Sequence, residues 1–145
     1  MSLPWVEVAK KEIGIEEIPG PEHNSRILDY HATTTLKATE DEVPWCSSFL
    51  NWVMYHAGYL GTRSAAARSW LEWGYAIKEP CEGAIAILRR GNSPTQGHVG
   101  IYMGAGRHGY FKLLAGNQGD RVSIEEFRLS DVLGWRYPKA VRLVG

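Results

Sequence analysis

The order of patterns along the chain predicts an α+β fold, with N-terminal helices packed on one side of an antiparallel sheet. Three observations carry this. Helical apolar spacing prevails up to about residue 73. Short β-type runs, split by Gly-, Asn- and Pro-rich turns, prevail after Pro80. Finally, 145 residues with 44% hydrophobic and 22% charged side chains suit a single globular domain over 1–145 with one core.

Each element has its own local signals. Residues 3–13 place Val6, Ala9 and Ile13 along a helix, with Pro4 near its start and Gly14 as its stop. The stretch IPGPEHN is a turn cluster. Asn24 or Ser25 can cap a short helix through Arg26–His31, and the polar, Thr-rich residues 32–43 read as a loop. In VPWCSSFLNWVMYHAG, Cys46, Phe49, Leu50, Val53 and Ala57 recur at i, i+3, i+4, i+7 and i+11. That spacing predicts a buried helix from just after Pro44 to about Gly58. SAAARSWLEW, residues 64–73, reads as another helix, with Ser64 as cap and Gly74 as stop. GAIAIL, HVGIYM, YFKLLAG and RVSIEEF are predicted strands, and GWRYPKAVRLV a last one.

Composition excludes several classes of function. Lys plus Arg equals Asp plus Glu at 16 each, so no basic excess points to nucleic acid. No apolar run approaches the length of a membrane-spanning helix, and no membrane insertion is expected. The N-terminus MSLPWVEVAKKEIGIEE has no long apolar core and carries acids early, unlike a Sec signal peptide, so synthesis in the cytoplasm is expected. Cys46 and Cys81 have unlike flanks and read as independent thiols. Neither lies in a CxxC pair, and the histidines form no HExxH pattern, so no metal and no cofactor is called for.

Three residues form a candidate catalytic set. Cys46 sits at the start of an apolar helix, where free N–H groups and the helix dipole favour a thiolate and can meet a developing oxyanion. His98 opens a β-type run between Gly97 and Gly100 and titrates near neutrality, as a general base must. Asn117, at the end of the next strand, can accept from one imidazole nitrogen and leave the other facing the thiol, with Asp120 a rival for that role. Together these are the parts of a thiol triad. Of the six tryptophans, Trp45, Trp70 and Trp73 are candidates for stacking on a sugar face, core packing being the alternative. Arg63, Arg68, Arg89 and Arg90 can meet an anionic ligand or simply face solvent. His23 and His31 lie in segments that read as exposed, His56 lies off the Cys46 face, and His108 sits at a hairpin tip.

These motifs resemble a known family. DEVPWCSSFLNWVMYHAG resembles the nucleophile helix of CHAP-type and NlpC/P60-type cysteine peptidoglycan hydrolases, GHVGIYMG their histidine strand, and AGNQGD their third-residue segment. GTRSAAARSWLEWG and GWRYPKA further resemble a compact subgroup found in phage and prophage proteins. The resemblance runs from about residue 4 to 140 and implies a papain-like fold. Many CHAP domains carry a Glu where this chain has Ala115, which leaves Asn117 as the orienting residue. Many also bind calcium through an acidic loop before the Cys; Asp41 and Glu42 stand there, but without a DxDxxxG-like loop.

The resemblance implies a hydrolase that cuts an amide bond of peptidoglycan, as amidase or endopeptidase, through Cys46, His98 and Asn117. It further implies a phage lysin released by a holin, or an antibacterial effector injected by a secretion system, the latter with an immunity protein as partner. Two alternatives stand beside it: a thiol acyltransferase on the same fold, and a non-catalytic module that binds glycan or peptide.

Overall fold

The computed structural model describes residues 3–18, 24–34 and 45–139. The turn cluster at 19–23, the loop at 35–44 (with Asp41 and Glu42) and the last predicted residues, 140–145, lie outside the described residues. Three α-helices come first: α1, Pro4–Lys10; α2, Ser25–Ala32; and α3, Cys46–His56. A 3₁₀ helix, Ala67–Glu72, leads into six strands: β1, Tyr75–Ile77; β2, Ile85–Arg89; β3, Gly97–Ala105; β4, Tyr110–Gln118; β5, Arg121–Arg128; and β6, Val132–Tyr137. The strands form one antiparallel sheet in the order β1-β6-β2-β3-β4-β5. The α+β prediction, with helices before sheet, matches this architecture.

Helix signals translate directly. Pro4 occupies the first turn of α1, where its missing N–H costs nothing. Asn24 caps α2, its Oδ1 accepting from the Arg26 N–H at 2.8 Å. The Cys46, Phe49, Leu50, Val53, Ala57 stripe is wholly buried, and Gly58 follows α3 at φ +90°.

Two elements differ from prediction. The 64–73 segment is a 3₁₀ helix beginning at Ala67, and Ser64 accepts from the Ala66 N–H instead of capping it. Six residues are too few to sustain an α-helix on local terms, and the Ser69 hydroxyl competes by bonding the Ala66 carbonyl at 2.6 Å. Strand β1 has no signal in the sequence: its three residues are too short for a period, and they are strand only because they pair with β6.

Side-chain alternation splits the sheet into two cores. Ile85, Ile87, Val99, Ile101, Leu114 and Val122 face the helices and join Trp5, Phe49, Leu50 and Val53. The alternate residues Ala86, Leu88, Phe111, Leu113 and Ala115 are also buried, in a cluster made of strand residues alone. A flat sheet cannot bury both faces with helices on one side, so the sheet curls upon itself. Tyr102, Phe127, Val132 and Trp135 close that second cluster.

The ends of β3 and β4 leave a gap in the sheet. Their ladder runs from Ala105↔Phe111 to Ile101↔Leu114 and goes no further toward the start of β3. The β4–β5 ladder is interrupted between Ala115 and Gln118, then closes at Gln118↔Arg121. Gly119 and Asp120, at φ +61° each, form the two-residue turn between them, a left-handed pair of the kind that matches strand twist.

Candidate active site

Cys46 is the first residue of α3. Around it the helix start is anchored by buried polar groups. Ser47 Oγ donates to the Ser64 carbonyl at 2.6 Å and accepts from Trp70 Nε1 at 2.8 Å. Ser48 Oγ pairs with His31 Nδ1 at 2.8 Å. The Asn51 amide donates to the Ser47 and Ser64 carbonyls, and its Oδ1 accepts from the Arg63 N–H at 2.7 Å. His31, read from the sequence as exposed, is completely buried. Trp45 supplies no side-chain acceptor to the first turn. The N–H groups of that turn, which have no intrahelical partner, therefore lie beside the sulfur.

His98 lies opposite Leu88 near the start of β3. Tyr102 N–H bonds the Ala84 carbonyl across the β2–β3 ladder at 2.7 Å, so the alternate residues Gly100 and His98 also turn their backbone groups toward β2. Val99 N–H then points toward β4, where the ladder has already ended, and it favours the thiolate of Cys46. The opening between β3 and β4 is thus where the start of α3 enters. Gly116 lines it so closely that a Cβ would stand 2.7 Å from the Trp45 ring.

Electrostatics couple the two groups. Burial pushes the Cys46 thiol up, but the neighbouring imidazole of His98, the Val99 N–H and the positive charge of Arg90 bring it below the ordinary thiol range. Burial likewise pushes His98 down, and its interactions with Cys46 and the hydrogen bond to Gln118 raise it above the ordinary imidazole range. Both shifts favour a thiolate–imidazolium pair.

The hydrogen-bond partner of His98 is Gln118, not Asn117: Nε2 lies 2.9 Å from Gln118 Oε1. The amide orientation is set by its surroundings. Gln118 Nε2 donates to the Ser123 carbonyl at 2.9 Å and the Leu113 carbonyl at 3.3 Å, both acceptors only. The amide oxygen must therefore face His98, and the imidazole must donate from Nε2. That leaves Nδ1, buried and without a hydrogen-bond partner, as the ring nitrogen free to serve the sulfur. Asn117, at φ +59°, occupies the interruption in the β4–β5 ladder and hands the inward position to its neighbour. Asp120 stands in the hairpin turn, where its carbonyl accepts from the Glu17 N–H at 2.8 Å. Sequence reasoning missed Gln118 because it counted no interruption in the strand.

The tryptophan expectation is also corrected. Trp45 and Trp70 have 0% exposure, so neither ring offers a face to a ligand. Their N–H groups are engaged by Glu17 at 2.7 Å and Ser47 at 2.8 Å. Trp73 is partly buried, packs edge-on against Trp70 at 4.8 Å and donates to the Leu60 carbonyl at 2.9 Å. Trp45 and Trp70 belong to the core, and Trp73 packs against its edge.

A cleft of about 540 Å³ opens beside His98 and Gln118, bounded by Leu88, Arg90, Glu125 and Phe127. The Phe127 ring lies 5.3 Å from the imidazole at 34° and covers it. A second cavity, about 470 Å³, lies along the flank of α3 between Thr33, Asn51, Tyr55 and Arg63, and contains none of the three site residues. Arg68 is committed to the carbonyls of Ser93 and Gln96, pinning the β2–β3 connection, and Arg89 to Asp131 at 2.9 Å. Cys81 is an exposed free thiol remote from this geometry in the fold, preceding β2, and Cys46 is a buried free one.

Comparison with known proteins bears on the fold and the family. No curated protein matches the chain. Among solved structures, an NlpC/P60 family protein from Bacillus cereus ATCC 10987 superposes with a TM-score of 0.51 at 15% identity. The match covers 92% of this chain and 39% of that one, so the chain spans well under half the length of its structural neighbour. The CHAP domain model matches residues 38–117, more than half of the chain, a span that includes Cys46 and His98 and ends one residue before Gln118. A Trp-Cys helix start, a histidine strand and a curled antiparallel sheet behind them are thus, in this chain, those of a member of the CHAP domain family.

Proposed function

We propose that this protein is a cysteine hydrolase that cuts an amide bond in the peptide part of bacterial peptidoglycan. The observation that carries the reading is the single imidazole bonded to an amide of fixed orientation, with its other, unpartnered nitrogen left for the neighbouring thiol: Gln118, His98, Cys46. CHAP membership supplies the substrate class.

Each residue has a distinct task. The Cys46 thiolate attacks the amide carbonyl carbon. The oxyanion that develops meets the N–H groups of the first turn of α3, at the positive end of the helix. His98 gives its Nδ1 proton to the departing amine, and a thioester remains on Cys46. His98 then takes a proton from water, which attacks the thioester and releases a carboxylate and the thiol. Gln118 keeps the imidazole in the tautomer that presents Nδ1 to sulfur throughout.

The test is digestion of purified sacculi by the wild type and by Cys46→Ala, with soluble products identified by mass spectrometry. Products from the wild type alone support the reading, and their masses name the bond. Equal release by both proteins sinks the thiol mechanism.

A further inference from the structure

The cleft beside His98 is chemically asymmetric with respect to the sulfur. It is lined by His98 and Gln118 but not by Cys46. In thiol hydrolysis the acyl fragment stays on sulfur, and the amine fragment leaves after taking a proton from the imidazole. The volume on the imidazole side therefore belongs to the amine fragment.

Its charged lining is unequal as well. Arg89 and Asp131 neutralise each other at 2.9 Å. Arg90, the next residue, is exposed on the same cleft, and among the described residues it has no ion pair. Arg26, Arg107 and Arg121 are each paired with a carboxylate, and Arg68 with carbonyls. Arg90 thus differs from them in presenting a free guanidinium to a cavity that adjoins a reactive pair. It is near enough to act on both Cys46 and His98. The one other uncommitted charge among the described residues of the cleft is Glu125, on β5. A planar, always-charged fork with five donors is suited to a carboxylate.

We propose that this cleft is the leaving-group subsite and that Arg90 is a specificity-determining residue, reading a free carboxylate on the amine-side fragment of the substrate. The substrate part of this rests on the hydrolase reading above; the anion site at Cys46 does not.

Two measurements separate the two. In the first, wild type and Arg90→Gln hydrolyse two synthetic stem peptides that differ only in a carboxylate or a carboxamide on the residue supplying the leaving amine. The expected result is a rise in KM about tenfold larger for the carboxylate peptide than for the carboxamide peptide, any change common to both being the loss of the Arg90 charge beside Cys46 and His98. Equal effects on both peptides, or none on either, overturn the proposal. The second uses iodoacetate and iodoacetamide on Cys46: the thiolate displaces iodide, forming an S–C bond to a charged or a neutral reagent. Any change in thiol ionisation alters both rates together and cancels in their ratio. In Arg90→Gln the iodoacetate-to-iodoacetamide ratio should fall about threefold. A fall in that ratio when neither protein cleaves peptide keeps the anion site and rejects the hydrolase reading; an unchanged ratio rejects Arg90 as an anion reader outright.

Discussion

The two halves of the site are built in opposite ways. The nucleophile half, at the start of α3, is held redundantly. Trp45, Ser47, Ser48, Asn51 and Trp70 each have a hydrogen-bond partner, and together they secure the start of the helix. The base half hangs on one amide. Among the described residues Gln118 makes the one hydrogen bond from the His98 ring to the β4–β5 hairpin, beside the Phe127 ring that covers the imidazole, and an interruption of the ladder gives that place to Gln118 and not to Asn117. Redundant packing protects a position against small changes but makes its members costly to remove. A single orienting bond contributes little to stability and much to chemistry. Changes in the first half should therefore be read in melting curves, and changes in the second in rates, with the nucleophile itself the exception.

That exception is the largest expected effect. Cys46→Ala should lower the rate of muropeptide release by about 10⁴-fold or more, because triad members act as a unit. Thermal unfolding followed by circular dichroism should stay close to wild type, since a sulfur is exchanged for a methyl hydrogen. A large drop in melting temperature would mean that the thiol is structural.

Next comes the redundant half itself. Trp70→Ala removes a fully buried ring and leaves Ser47 Oγ without its donor. The expected loss is about 3–5 kcal/mol by chemical denaturation. A loss under about 1 kcal/mol would show that the helix start does not depend on it.

The base half should answer differently. Gln118→Leu should lower kcat/KM about 100-fold, the scale of losing a buried orienting hydrogen bond to a charged group. The geometry also sets the direction of the pH effect. The Gln118 oxygen stabilises protonated His98, so its loss lowers the imidazole pKa. A neutral imidazole no longer holds the neighbouring thiolate, and the Cys46 pKa rises. The midpoint of iodoacetamide alkylation should therefore move to higher pH in Gln118→Leu. A midpoint unchanged from wild type would remove Gln118 from the triad.

In the wild type, alkylation near neutral pH should favour buried Cys46 over exposed Cys81, because thiolate content outweighs access there. Peptide mapping after a limited reaction decides it; preferential labelling of Cys81 would contradict the ion pair.

The smallest effect sharpens the comparison. Asn117→Ala should leave hydrolysis within about threefold of wild type, since its side chain makes no bond to His98, while costing about 1 kcal/mol for an alanine at φ +59°. If Asn117→Ala instead matches Gln118→Leu in rate, the orienting role belongs to the asparagine.

Much of the molecule was legible from residues alone, and for local reasons. Asn24 at a helix start, the Cys46-to-Ala57 stripe, Gly58 beyond it and the alternating runs of β2 to β5 are encoded within a few residues, at the periods of helix and strand. The candidates for nucleophile and base were legible in the same way: a cysteine opening an apolar helix and a histidine opening a strand are both statements about sequence neighbours. Tertiary structure decided what depends on partners distant in the chain. β1 is a strand only through β6. Whether Trp45 and Trp70 face a ligand or the core rests on Glu17 and Ser47, which no spacing rule connects to them. The choice between Asn117 and Gln118 rests on the interrupted ladder. In a strand the side-chain period is two, so an irregularity that shifts pairing by one reverses which residue points inward. Pairing irregularity is a property of two strands together, and residue order in one of them does not contain it.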